Sequence, residues 1–213
     1  ITPRHRHLGR NVDGEHVILL SDWTREDPHK VLRSLKRGSE WYVIEKGSGQ
    51  SILGAARAGK LGDYVQRELQ RMPAMDIADV AYDYFLANGR PESTIHAEGH
   101  KTLRLRIING SATTYFHLEF AGGPMTIVSA DGLAVQPVDQ QRMLIAVAET
   151  YDVLVKMPNN GAYELRATAH DGSGYASVWL GHGRRVPAPD TPKPNLYHGM
   201  SHGSASAVWA LTP

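Results

Sequence analysis

Between Lys101 and Val138 the chain reads KTLRLRIINGSATTYFHLEFAGGPMTIVSADGLAVQPV. Leu103, Leu105 and Ile107 alternate with Arg104 and Arg106, and a period of two predicts a strand with one face on a core. Asn109-Gly110 ends it with turn chemistry. Phe116, Leu118 and Phe120 then alternate with Tyr115, His117 and Glu119, which predicts a second strand. Gly122-Gly123-Pro124 turns the chain. Met125 to Ala130 reads as a third strand, closed by the tight-turn dipeptide Asp131-Gly132. Short strands at this spacing point to a β-sandwich or barrel.

The remaining segments extend that pattern. His16 to Trp23 predicts the first strand. Asp27-Pro28 supplies a helix N-cap and a first helical residue. Val31, Leu32 and Leu35 give that helix its apolar face, and Gly38 suits its stop. Residues 47–62 read as a loop with a short helical piece, and Asp63 to Met72 as a second helix. Tyr82 to Ala87 predicts a strand ended by Asn88-Gly89. Ser93 to Ala97 and Thr102 to Ile108 flank a turn at residues 98–101. Arg142 to Ala148 and Tyr151 to Met157 read as a strand pair around Glu149-Thr150. Ala162 to His170 and Ala176 to Gly181 read as the last strands. From Arg184 on, prolines accumulate and the apolar period disappears, which predicts an extended linker.

Composition excludes several classes. The 213 residues carry 23 Lys plus Arg against 22 Asp plus Glu, a formal charge of +1, so there is no basic footprint for nucleic acid. No apolar run approaches the roughly 20 residues needed to span a bilayer. The chain opens on Ile1 with neither an initiator Met nor a signal peptide, so it reads as a piece of a longer protein. With no cysteine among its residues, disulfides, thiol catalysis and thiolate metal sites are excluded. A blue-copper centre, which needs a Cys thiolate beside two His, is excluded for the same reason.

The organising stretch resembles the middle cupredoxin domain of three-domain multicopper oxidases. The likeness is carried by Arg106, Asn109, Phe116, Met125, Asp131, Gly132, Val135 and Pro137. It narrows to the copper-resistance branch of the bacterial enzymes through ILLSDWT at residues 18–24, the Trp41-Tyr42 pair, and RMPAMDIADV at residues 71–80. Arg142, Glu149, Tyr151, Asp152 and Val153 also match, and there Tyr151 and Asp152 are expected to tie a hairpin down. The resemblance implies an all-β, cupredoxin-like Greek-key sandwich with a small helical insertion at about residues 27–80. Residues 15–183 would form that domain, 1–14 a linker or the tail of a preceding domain, and 184–213 a second linker. It further implies a periplasmic or secreted parent enzyme that oxidises copper(I) or phenols and reduces dioxygen to water. Copper would belong to that parent, the partners would be its neighbouring cupredoxin domains, and this chain alone would be inactive.

The family's copper-ligand motifs (H-x-H-G, H-P-x-H-x-H-G and H-C-H-x-x-x-H) do not occur in the chain, so no catalytic or cofactor-binding residue is expected. The candidate metal ligands are His198, Met200 and His202: two imidazoles and a thioether within five residues could hold copper on a flexible backbone. A stand-alone copper-binding or interaction module using this Met/His tail is the alternative function. The other candidates read blandly. His5 and His7 are expected in a solvated loop, and Met72 and Met75 as apolar gap-fillers. His96 and His100 are expected at the surface, and His170 in a loop. His117 and Glu119 share a strand face and are expected to be exposed or to face a neighbouring domain. Asp22, Asp76, Asp79 and Asp83 give no reason to be paired as acid and base.

Overall fold

The computed structural model describes residues 12–37, 41–46, 50–69 and 80–195. Its strands are β1 (Gly14–Trp23), β2 (Tyr84–Ala87), β3 (Glu92–Ile95), β4 (Thr102–Asn109), β5 (Phe116–Phe120), β6 (Met125–Ala130), β7 (Leu133–Gln140), β8 (Arg142–Ile145), β9 (Thr150–Lys156), β10 (Ala162–Ala169), β11 (Tyr175–Gly181) and β12 (Arg185–Val186). Four helices, α1 (Pro28–Lys36), α2 (Trp41–Lys46), α3 (Ile52–Arg57) and α4 (Leu61–Leu69), fall between β1 and β2. One sheet runs β2-β1-β4-β9-β6-β7 and the other β3-β11-β10-β5-β8, with β12 added in parallel to β10. The two sheets face each other as an all-β sandwich, as the alternation predicts, and of the cupredoxin-like kind that the resemblance implies.

The core lies between them. Ile18, Leu105, Ile107 and Val153 of the first sheet meet Phe116, Leu118, Leu165 and Leu180 of the second, all nearly inaccessible to solvent. Phe85 closes on Phe116 edge-to-face, with ring centroids 5.7 Å apart, the arrangement aromatic quadrupoles favour. Two turns are fixed by their dipeptides. Asn88-Gly89 and Asp131-Gly132 have positive φ at both residues, the condition of the tight hairpin turn that matches strand twist.

One predicted pairing is overturned. β8 and β9 do not form a hairpin: β8 pairs with β5 in one sheet, and β9 with β4 and β6 in the other. Met143 and Ile145 on β8 and Val153 and Val155 on β9 are all buried. Both strands therefore turn an apolar face to the core, which places them across the sandwich from each other rather than side by side. The connection is an arch. Ala148 takes a positive φ, Asn109 exchanges backbone hydrogen bonds with Ala148 and Glu149, and the Glu149 carboxylate accepts from the Ala146 N–H at 2.7 Å. Asp152 accordingly ties down no hairpin; it binds Arg104 on the neighbouring strand.

The insertion is helical, and its first helix starts as its sequence requires. The Asp27 carboxylate accepts from the His29 N–H at 2.8 Å, and Pro28 follows it. No residue of α1 is buried; Leu32 and Leu35 remain exposed. The insertion is anchored by α2, where Tyr42 is 2% exposed and its hydroxyl donates to Glu26 at 2.7 Å. Lys46 reaches Asp171 in the β10–β11 loop at 3.5 Å. Helix α4 begins two residues before the predicted start; Gly38 and residues 70–72 lie outside the described residues.

Candidate functional site

Three residues organise the end of the sandwich where the N-G-S signature lies. Asn109 is buried and its amide is fully used: it donates to the carbonyls of Thr114 and Ile145 and accepts from the Ser111 N–H and hydroxyl. Asp22, on β1, accepts from the N–H groups of Ala112, Thr113 and Thr114 and from the Thr114 hydroxyl. Those donors leave Asp22 a structural role in holding the β4–β5 loop. Asp83 does the same for the start of the insertion, accepting from the Arg25 N–H at 2.7 Å.

The candidate metal ligands His198, Met200 and His202 lie outside the described residues, as do His5, His7, Met72, Met75, Asp76 and Asp79. Among the described residues, no group of three or more His, Cys, Asp or Glu side chains is placed to hold a metal ion.

Two places nevertheless gather imidazoles. The larger is an open cleft of about 680 Å³ where β1 and β4 approach the ends of β3 and β11; it is lined by His16, His96, His182, Glu98, Asp13 and Lys101 among others. Asp13 accepts from the Thr102 N–H at 2.8 Å and from the Lys101 ammonium at 3.0 Å. Those bonds, the backbone one first, hold its carboxyl below the usual carboxylate range. His96 is exposed there, as expected. His16 and His182 were not candidates from sequence. They lie far apart along the chain, and parallel β1–β4 and β3–β11 pairing brings them together.

The tighter place is on the outer face of the second sheet. His117 Nε2 lies 2.8 Å from His170 Nδ1, with ring centroids 4.9 Å apart and planes tilted by 46°. Antiparallel β5–β10 pairing sets His117 opposite Thr168, and the His170 N–H donates to the Tyr115 carbonyl. The two histidines are thus diagonal neighbours on one face, a spacing long side chains can bridge. His170 lies in the loop after β10, as expected, and His117 is half-buried on the outer face of β5; their ring-to-ring contact was not expected. Burial above all, then His170 and Arg142, hold the His117 imidazole below the usual histidine range. Arg142 is itself paired, donating to Glu119 at 2.9 Å.

Beside this pair, a buried ion network fastens the C-terminal segment. Glu164 is 1% exposed. Its carboxylate accepts from the Arg166 guanidinium, the Ser177 hydroxyl and the Ala188 N–H. Every lone pair of a desolvated carboxylate needs such a partner. Residues 185–188 therefore lie against the sheet.

Comparison with known proteins agrees with this architecture. The family model described as multicopper oxidase matches residues 14–182. The chain is 39% identical over 212 residues to copper resistance protein A of Pseudomonas syringae pv. tomato, covering 90% of this chain and 34% of that protein. It is also 39% identical over 213 residues to copper resistance protein A of Escherichia coli, covering 91% of this chain and 35% of that one. The chain thus spans about a third of the length of the curated relatives it matches. Among solved structures, Fet3p, a multicopper oxidase that functions in iron import, superposes with a TM-score of 0.58 at 15% identity, covering 89% of this chain and 32% of that one. The laccase from Botrytis aclada gives 0.54 at 17% identity, covering 86% and 32%. At these identities the two structures speak for the fold; the family match and the two copper resistance relatives carry the assignment, and the chain belongs to the multicopper oxidase family.

Proposed function

We propose that this chain is the middle cupredoxin domain of a larger oxidase of the copper-resistance type, and that its role there is architectural. Residues 15–183 would be the domain, flanked by linkers at 1–14 and 184–213, the second of which starts as a segment fastened to the sheet at residues 185–188. The parent would oxidise copper(I) or phenols and reduce dioxygen to water in the periplasm or outside the cell, with copper bound by the neighbouring domains. The observation that carries this reading is the match itself: it runs over residues 14–182, falls on about a third of each copper resistance relative, and contains no cysteine.

The chemistry of the donor set points the same way. A blue-copper site needs a thiolate, and this chain has none. A multinuclear site needs convergent imidazoles, and among the described residues no group of three, the histidines of the open cleft included, is placed to hold a metal ion. What the domain does offer is apolar surface for its neighbours. Leu133, Val135 and Val138 on the edge strand β7, and Val17, Leu19 and Trp23 on β1, are all exposed. An unpaired, apolar edge strand is a liability unless something covers it.

The test is to express the gene's full reading frame beside the present chain and compare their absorption after copper loading. The longer product is expected to be blue and to contain the H-C-H motif outside residues 1–213, while this chain stays colourless. A reading frame confined to these residues would sink the proposal. If copper then bound in a way abolished by His198→Ala with His202→Ala, the Met/His-tail module would replace it.

A further inference from the structure

We propose that His117 and His170 form a binding site for a divalent first-row transition cation, with His117 Nε2 and His170 Nδ1 as ligands and solvent completing the coordination. The geometry is already close to what a metal requires. At metal–imidazole distances of about 2.0–2.1 Å, two nitrogens subtending a right angle at the ion lie about 2.9 Å apart. The observed separation is 2.8 Å, so the ion needs no change in the spacing of the two nitrogens: each ring turns so that its lone pair faces the ion, and the shared proton passes to the far nitrogen of the donor ring. A right-angled pair of imidazoles is the arrangement of a tetragonal site, which favours copper(II), the cation that also heads the affinity order for nitrogen ligands.

The surroundings fit a cation. His117 lies on the paired strand β5, and His170, the first residue after β10, is pinned by the bond from its backbone N–H to the Tyr115 carbonyl, so the ion has to order little backbone. Both rings are partly exposed, giving access from solvent. The nearby charges cancel in pairs: Arg142 with Glu119, and Lys46 with Asp171. Arg142 still opposes positive charge at His117, and its ion pair with Glu119 offsets part of that. With two protein ligands, affinity should be moderate, and a protonated imidazole cannot bind, so binding should weaken in acid.

Sequence reading placed this site out of view because its halves are 53 residues apart. The inference is independent of the role proposed above. It uses none of the tail residues, and its failure would leave the architectural reading intact.

The experiment is a copper(II) titration of the full chain, followed by two-dimensional NMR and calorimetry. Substoichiometric copper(II) should broaden the amides of residues 115–119 and 168–172 first. His117→Gln and His170→Gln should each weaken that binding event at least tenfold, while His198→Ala with His202→Ala leaves it in place. Broadening confined to the tail, or unchanged binding in both single variants, would overturn the assignment. The broadening map of the unmodified chain decides the matter even if a variant fails to fold.

Discussion

Asn109 shows how much a single residue of the family signature does. Its buried amide makes four hydrogen bonds, to Ser111 and Thr114 in the β4–β5 loop and to Ile145 on β8, and a buried group stripped of its partner costs about 1–3 kcal/mol. Asn109→Ala removes this partner from the Ile145 carbonyl and the Ser111 N–H, while the Ser111 hydroxyl keeps its bond to the Thr114 carbonyl, so we expect a loss of about 2 kcal/mol, read from the urea midpoint. Asp13 allows a prediction in pH. Its carboxyl is held below the usual range by the Thr102 N–H and Lys101, so the unfolded chain binds the proton more readily than the folded one. Stability from this group is complete above the unfolded value of about 3.9 and is lost as pH falls through the lowered folded value. Urea midpoints of the unmodified chain and Asp13→Asn should differ near neutral pH and converge in strong acid; a constant difference across that range would contradict this. The N-G-S signature could be read from sequence, but its hydrogen bonds could not. Nothing local distinguishes Asp22, the clamp of the next loop, from the other scattered acids.

Strands and turns were legible wherever alternation and turn chemistry coincided, as at Asp131-Gly132 and Asn88-Gly89. Pairing was not. Arg142–Ile145 and Thr150–Lys156 are consecutive and each has an apolar face, which suits a hairpin and an arch equally well. The arch depends on Asn109 and Glu149 reaching across the gap, and no local period reports that. The same limit hid the His117–His170 pair, made by β5 lying beside β10. The segment after Arg184 gave no periodic signal, yet Ala188 is buried and its N–H is bound by Glu164. Removing that carboxylate leaves the largely buried Arg166 with the exposed Asp190 and the face of the Tyr175 ring. Breaking a buried pair in this way costs about 3–5 kcal/mol. Glu164→Ala should therefore destabilise the domain by that order and speed amide exchange at residues 185–188. Slow exchange there in the variant would show that the segment is held by other contacts.

At the scale of the whole molecule, two sheets bury one continuous core, and the helical insertion attaches at its side through Tyr42 and Lys46. The fold class followed from the alternation of strands, and the family from motifs that are individually weak. No residue pattern could supply the neighbouring domains. They are inferred from the length of the relatives, from the exposed apolar strands β1 and β7, and from a donor set that lacks a thiolate. If the chain is a scaffold, loading it with copper should not make it an enzyme, even with an ion bound at His117 and His170. The measurement that bears on this most directly is dioxygen consumption by the copper-loaded chain in the presence of a phenol. The scaffold account predicts uptake no faster than with free copper ions. Sustained uptake that tracks protein concentration would contradict it and place an oxidase centre within these 213 residues.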